Sequence, residues 1–167
     1  MIPRIAVAAG GDRAASPWPS PAMARRLALR VRRAARAMGC SRAELDALDL
    51  RIVDDARMRE IKLRAFGVAE AADVLSFPAG EPLPGQEPTA SLGEIVINRD
   101  AVTRQAARPD ARGWLDEATS LAIHGVAHLR GHDHDRRDRA RRMLDCERRG
   151  SRAVGLPCVR PYGGCGA

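Results

Sequence analysis

Four histidines, the only ones in a chain of 167 residues, crowd into residues 121–134 (LAIHGVAHLRGHDH). His124 and His128 are four apart, so on a helix their rings leave one face a turn apart, at a separation that one metal ion bridges. Gly131 suits the left-handed conformation that ends a helix, after which the chain can turn back and offer a third imidazole. His134 is preferred for that place because the turn needs a few residues to return; His132, two residues earlier, competes for it. The pattern H-x-x-x-H-x-x-G-x-x-H thus supplies three neutral nitrogen donors, the number typical of a catalytic zinc, and leaves a fourth position to water. Zinc lowers the pKa of such water to roughly 7, which makes it a nucleophile. A lone histidine on an apolar helix face is usually a core residue, but four together favour a metal. Asp133 has two readings, an acceptor that fixes an imidazole tautomer or an ordinary loop acid.

The elements that must hold these residues are a helix over about residues 114–130, with Trp114, Leu115, Ala118, Leu121, Ile123 and Val126 as its apolar positions, and a last helix over about 136–153. Ala140, Met143, Leu144 and Cys146 form the inward side of that last helix. Upstream, apolar runs predict strands at residues 5–8, 48–53, 73–78 and 92–98, the last inside the sheet. Met23, Leu27, Val31, Ala34 and Met38 recur at helical spacing, with Ser20 as cap, Pro21 at the first position and Gly39 as stop. Asp54 and Asp55 start a short helix to about Arg64, with Met58, Ile61 and Leu63 on its apolar side, and another helix fits residues 99–107. Prolines and glycines make residues 79–90 a loop expected to be mobile. The expectation is an α/β protein: one domain over residues 1–157, a roughly four-stranded mixed sheet packed by about five helices, the zinc site on a C-terminal helix and the following loop, and a flexible tail at 158–167.

Composition bounds the partner. Lys and Arg number 28 against 21 Asp and Glu, a formal net charge of +7, and nearly all the basic residues are arginine. Arginine forks onto phosphate oxygens, so a polyanion is the natural partner, although an arginine-for-lysine coding bias gives the same composition. The first helix carries Arg25, Arg26, Arg30, Arg32, Arg33 and Arg36 on its remaining surface, a solvated face or a track for an RNA backbone. Cys40, Cys146, Cys158 and Cys165 contain no C-x-x-C pair and follow no secretory signal, which predicts free thiols in a reducing compartment. No run approaches a membrane span, and the cytoplasm is the expected location.

The segments DVLSFP (73–78), LGEIVI (92–97) and HGVAHLRGHDH (124–134), in this order and at these intervals, resemble the bacterial YbeY family of endoribonucleases and rRNA maturation factors. The resemblance covers about residues 48–156 and is weak over the first helix. It implies a single α/β domain, one zinc held by His124, His128 and His134, and cleavage of single-stranded RNA. The implied role is 16S rRNA 3′-end maturation and ribosome quality control, with ribosomal RNA and the ribosome or its assembly factors as partners. The chain departs from the family pattern at Phe66, where the family carries an arginine implicated in RNA handling, at Ala71 and Ala72, which replace a proline–threonine pair, and at His132, which replaces an aromatic. Arg64 is the candidate to take over the missing arginine's phosphate contact; no other catalytic group beyond the metal and its water is identified. Two rivals remain. A metalloprotease with this ligand spacing needs a glutamate directly after the first histidine, where this chain has Gly125. A ribosome-assembly protein would keep zinc for stability and bind RNA without cutting it.

Overall fold

The computed structural model describes residues 4–7, 19–80 and 91–157. Along the chain these form β1 (Arg4–Val7), α1 (Pro21–Ala37), α2 (Arg42–Asp46), β2 (Asp49–Val53), α3 (Asp55–Phe66), β3 (Val74–Pro78), β4 (Gly93–Asn98), α4 (Arg99–Gln105), α5 (Ala111–Leu129) and α6 (Arg137–Ala153). Six helices stand where about five were expected. The additional one, α2, lies in the stretch read as a polar connection. Ser41 and Glu44 close a reciprocal capping box there, the Ser41 side chain accepting from the Glu44 N–H and the Glu44 carboxylate from the Ser41 N–H. Only Leu45 of that helix is buried, too little apolar periodicity to reveal five helical residues.

The sheet runs in the order β1-β2-β4-β3. β2 and β4 pair in parallel, β3 runs antiparallel to β4, and the short β1 adds in parallel to the outer side of β2. Central β4 explains its own sequence, since alternate residues enter different cores. Ile95 and Ile97 join Leu50 and Ile52 of β2 against the helical layer, whereas Val96 meets Val53 and Met58 on the other side, with Phe77 and Leu75 packed against them.

The helical layer is built on α5, which is buried at nearly every position from Ala118 to Ala127. It packs on β3 and β4 and is covered by α1 and α6. α1 turns Met23, Leu27, Val31 and Ala34 inward, is capped by Ser20 and stops at Gly39, whose φ of 96° is left-handed. Its Arg30 and Arg32 are held by Asp116 and Asp46, while Arg25, Arg26, Arg33 and Arg36 stand exposed. On α3, Met58 is fully buried, but Leu63 is half exposed, at 50 %, because the short helix presents only one narrow stripe to the sheet. Of the loop expected at 79–90, residues 81–90 lie outside the described residues, as do the tail at 158–167 and Cys158 and Cys165; Cys40 and Cys146 are free and buried. No helix among the described residues is long and apolar enough to cross a membrane.

Candidate metal centre

Close contact between helix and sheet positions the site. A Cβ at Gly125 would stand 2.9 Å from Ile95 Cγ2 and 3.0 Å from Ser76 Oγ, and the Ser76 hydroxyl donates to the Gly125 carbonyl at 3.2 Å. Glycine therefore lets α5 settle directly on β3 and β4. His124 reaches Glu147 of α6, and His128, one turn further along the helix, brings its Nε2 to 3.1 Å from that of His124. The helix closes at Gly131, φ 78°, by a paired motif: the Gly131 N–H donates to the His128 carbonyl at 2.8 Å, the His132 N–H to the Ala127 carbonyl at 3.1 Å. That turn returns His134 to the first two rings.

Ligand-capable nitrogens of His124, His128 and His134 all lie within 4.8 Å of one another. His124 and His128 meet edge to face, with ring centroids 4.6 Å apart, and His134 stands 5.7 Å from the first ring and 5.3 Å from the second. Burial grades from His124 at 8 % exposure, through half-buried His128, to exposed His134, so the cluster has a closed end and an open one. His132, the competing third position, stands outside the cluster. Burial first, then the neighbouring rings of His124 and His134, push the His128 pKa down, which favours the neutral, lone-pair form. His132 is also pushed down, chiefly by burial.

Sequence reasoning missed Glu147. Its carboxylate Oε1 lies 2.6 Å from His124 Nδ1, with both side chains buried at 5 % and 9 % exposure. A carboxylate only accepts, so the proton sits on Nδ1 and the Nε2 lone pair of neutral His124 is turned toward the cluster. A signal was present in the sequence. Glu147 follows Met143 by four positions, on the apolar stripe of a helix otherwise covered with arginine, where an acid needs a reason to be. Asp133 does not take this part; its Oδ1 accepts the backbone N–H of His134 at 2.7 Å, which lowers its pKa and braces the loop. Arg64 stands exposed on the last turn of α3, and neighbouring Phe66, 56 % exposed, stacks on Phe77 with ring centroids 6.0 Å apart.

The donors fit a divalent cation. Two ligands at about 2.0–2.1 Å in tetrahedral arrangement stand roughly 3.3 Å apart, and His124 Nε2 and His128 Nε2 are separated by 3.1 Å. Behind them, the buried Glu147 carboxyl holds His124 by Nδ1 and leaves Nε2 facing the cluster, the arrangement usual for a metal-binding imidazole.

An α/β fold with three convergent imidazoles backed by a carboxylate defines a class of small proteins whose histidine cluster could hold one metal ion. The family model described as Endoribonuclease YbeY matches residues 21–155, so the match takes in α1, beyond the stretch that the sequence motifs cover. Proteins named Endoribonuclease YbeY are 41 % identical over 133 residues in Anaeromyxobacter sp. (strain Fw109-5), 80 % of this chain and 66 % of that protein, and 39 % identical over 117 residues in Agrobacterium fabrum, 70 % and 68 % of the two chains. The chain thus spans slightly less than two thirds of the Anaeromyxobacter relative. A solution structure from Thermotoga maritima shares the fold, with a TM-score of 0.53 at 19 % identity over 90 % of this chain and 89 % of that one. The chain belongs to the YbeY family.

Proposed function

We propose that this protein is a zinc-dependent, single-strand-specific endoribonuclease that acts in the cytoplasm on ribosomal RNA, in 16S 3′-end maturation and ribosome quality control. Family membership supports RNA cleavage, and the observation that carries the metal-dependent part is the convergence of His124, His128 and His134 at the open end of α5. His124, His128 and His134 would hold the ion, which when bound supplies a Lewis acid for a phosphoryl oxygen and activates water.

The chain's own residues do the rest. Glu147 keeps the His124 proton on Nδ1 and so keeps Nε2 available. The Gly131 turn and the Asp133 brace place His134. Since His134 is exposed while His124 is buried, a substrate phosphate approaches from the His134 side. Gly125 argues against peptide hydrolysis on steric as well as chemical grounds. The position that must supply a general base in that reaction is packed against Ile95 and Ser76, where even a Cβ would force these side chains to move.

The test is to measure zinc in the purified protein and incubate it with single-stranded and duplex RNA beside His128→Ala. About one zinc per chain, and cleavage of the single strand by the unaltered protein alone, are expected. Zinc without cleavage would leave a zinc-stabilised RNA-binding assembly protein as the answer. Zinc-dependent casein digestion would mean a peptidase.

A further inference from the structure

Beside the three histidines lies a cavity of about 230 Å³ whose wall is shared between the metal centre and α6: His124, His134 and Glu147 on one part, Arg137 and Arg141 on another, Met143 and Leu144 at its apolar side. Arg137 and Arg141 are four apart and so leave the same face of α6 one turn from each other. Two other arginines of this helix are paired locally, Arg139 with Asp135 at 3.4 Å and Arg148 with Asp145 at 3.4 Å, while Arg142, Arg149 and Arg152 do not line the cavity. Arg137 and Arg141 make no ion pair or hydrogen bond among the described residues. Two uncommitted guanidiniums therefore share a cavity with two of the three candidate ligands.

We infer that Arg137 and Arg141 form the phosphate-binding wall of the active site, seating a backbone phosphodiester of single-stranded RNA in this cavity next to the metal centre. The chemistry selects the ligand. A guanidinium presents paired N–H donors to two oxygens of one phosphate, and two guanidiniums in one concavity offer more donors than a carboxylate could use. Met143 and Leu144 supply an apolar floor against which a ribose or base edge can lie, and the cavity is too small for a folded duplex to enter. Flexible, unpaired backbone can bend into it. Of the four arginines that line a larger groove elsewhere, Arg30, Arg104 and Arg108 are each engaged by Asp116 or Asp55, which leaves Arg112 without a second uncommitted guanidinium beside it there.

This rests on the endoribonuclease reading, and the experiment separates the two. The double variant Arg137→Gln/Arg141→Gln is compared with Arg139→Gln/Arg148→Gln, which removes the same charge from the same helix. For each, zinc content, kcat and KM on a single-stranded RNA oligonucleotide, and its affinity by fluorescence anisotropy at several salt concentrations are measured. The first variant is expected to keep its zinc and most of kcat, to raise KM and Kd roughly 10- to 100-fold, and to lose about 1.4 from the slope of log affinity against log salt, two contacts at about 0.7 each. Arg137→Lys/Arg141→Lys should recover part of the affinity. The second variant should stay within about threefold of the unaltered protein.

Equal losses in both double variants would reduce the effect to net charge and overturn the inference. So would no loss in the first, or a loss in kcat alone, and in either case the endoribonuclease reading would stand. An unaltered, zinc-loaded protein that does not cleave RNA would overturn that reading and this inference together.

Discussion

His124 Nδ1 and Glu147 Oε1 lie 2.6 Å apart, both side chains buried, and join the helix that carries two candidate ligands to the helix that covers it. The pair is 23 residues apart in sequence and fixes which nitrogen of His124 faces the metal centre. Glu147→Ala should lower zinc affinity by about 10- to 100-fold, read by competition with a chromogenic chelator. Glu147→Gln, whose amide oxygen still accepts from Nδ1, should fall between. Unchanged affinity in both would show that His124 needs no support.

The third ligand can be assigned by substitution. His134→Ala should abolish stoichiometric zinc, whereas His132→Ala should retain it, because only the former shares the cluster. The reverse result, by metal analysis of the two purified variants, would place the loop differently from the geometry described.

Gly125 distinguishes this site from a peptidase. Gly125→Glu would drive a carboxylate between α5 and the sheet, with Ile95 Cγ2 and Ser76 Oγ at its Cβ. Burying an unpaired charge costs several kcal/mol, so the variant should be largely unfolded by circular dichroism. A folded Gly125→Glu protein that digests casein would reverse the argument.

Asn98, fully buried, ties three elements together. Its side-chain oxygen accepts from the Asp100 and Ala101 N–H groups, and its amide donates to Asp55 at 2.7 Å and to the Ala72 carbonyl at 3.1 Å. Asn98→Ala removes a helix cap and strands buried partners, a loss of roughly 2–4 kcal/mol, to be read from the urea midpoint.

The same network sets an acid limit. The hydrogen bond from Arg104 holds the Asp55 carboxyl below its ordinary value of 3.8, with burial opposing and Asn98 assisting. A depressed folded pKa contributes stability above the unfolded value and loses it as pH falls through the folded one. The gap in melting temperature between the unaltered protein and Asp55→Asn should be full near neutrality and close as pH drops below 3.8. A gap that does not change with pH would remove the charge from the account.

By itself the sequence determined whatever depends on neighbours along the chain. Helical spacing separated the buried Met23, Leu27, Val31 and Ala34 from the arginines of α1, and the apolar run of β4 marked a strand inside the sheet. Ligand spacing and Gly131 determined that two imidazoles share a helix face and that the chain turns after them. α2 escaped because its stability comes from a capping box rather than a periodic apolar face. Only the tertiary structure decided that Glu147, not Asp133, meets His124, that Gly125 is pressed on Ile95 and Ser76, and that Arg137 and Arg141 share a cavity with the histidines. Each of these depends on how α6 and the sheet lie against α5. Such packing is set by the joint burial of residues far apart in the chain, and a one-dimensional pattern contains no distance between them.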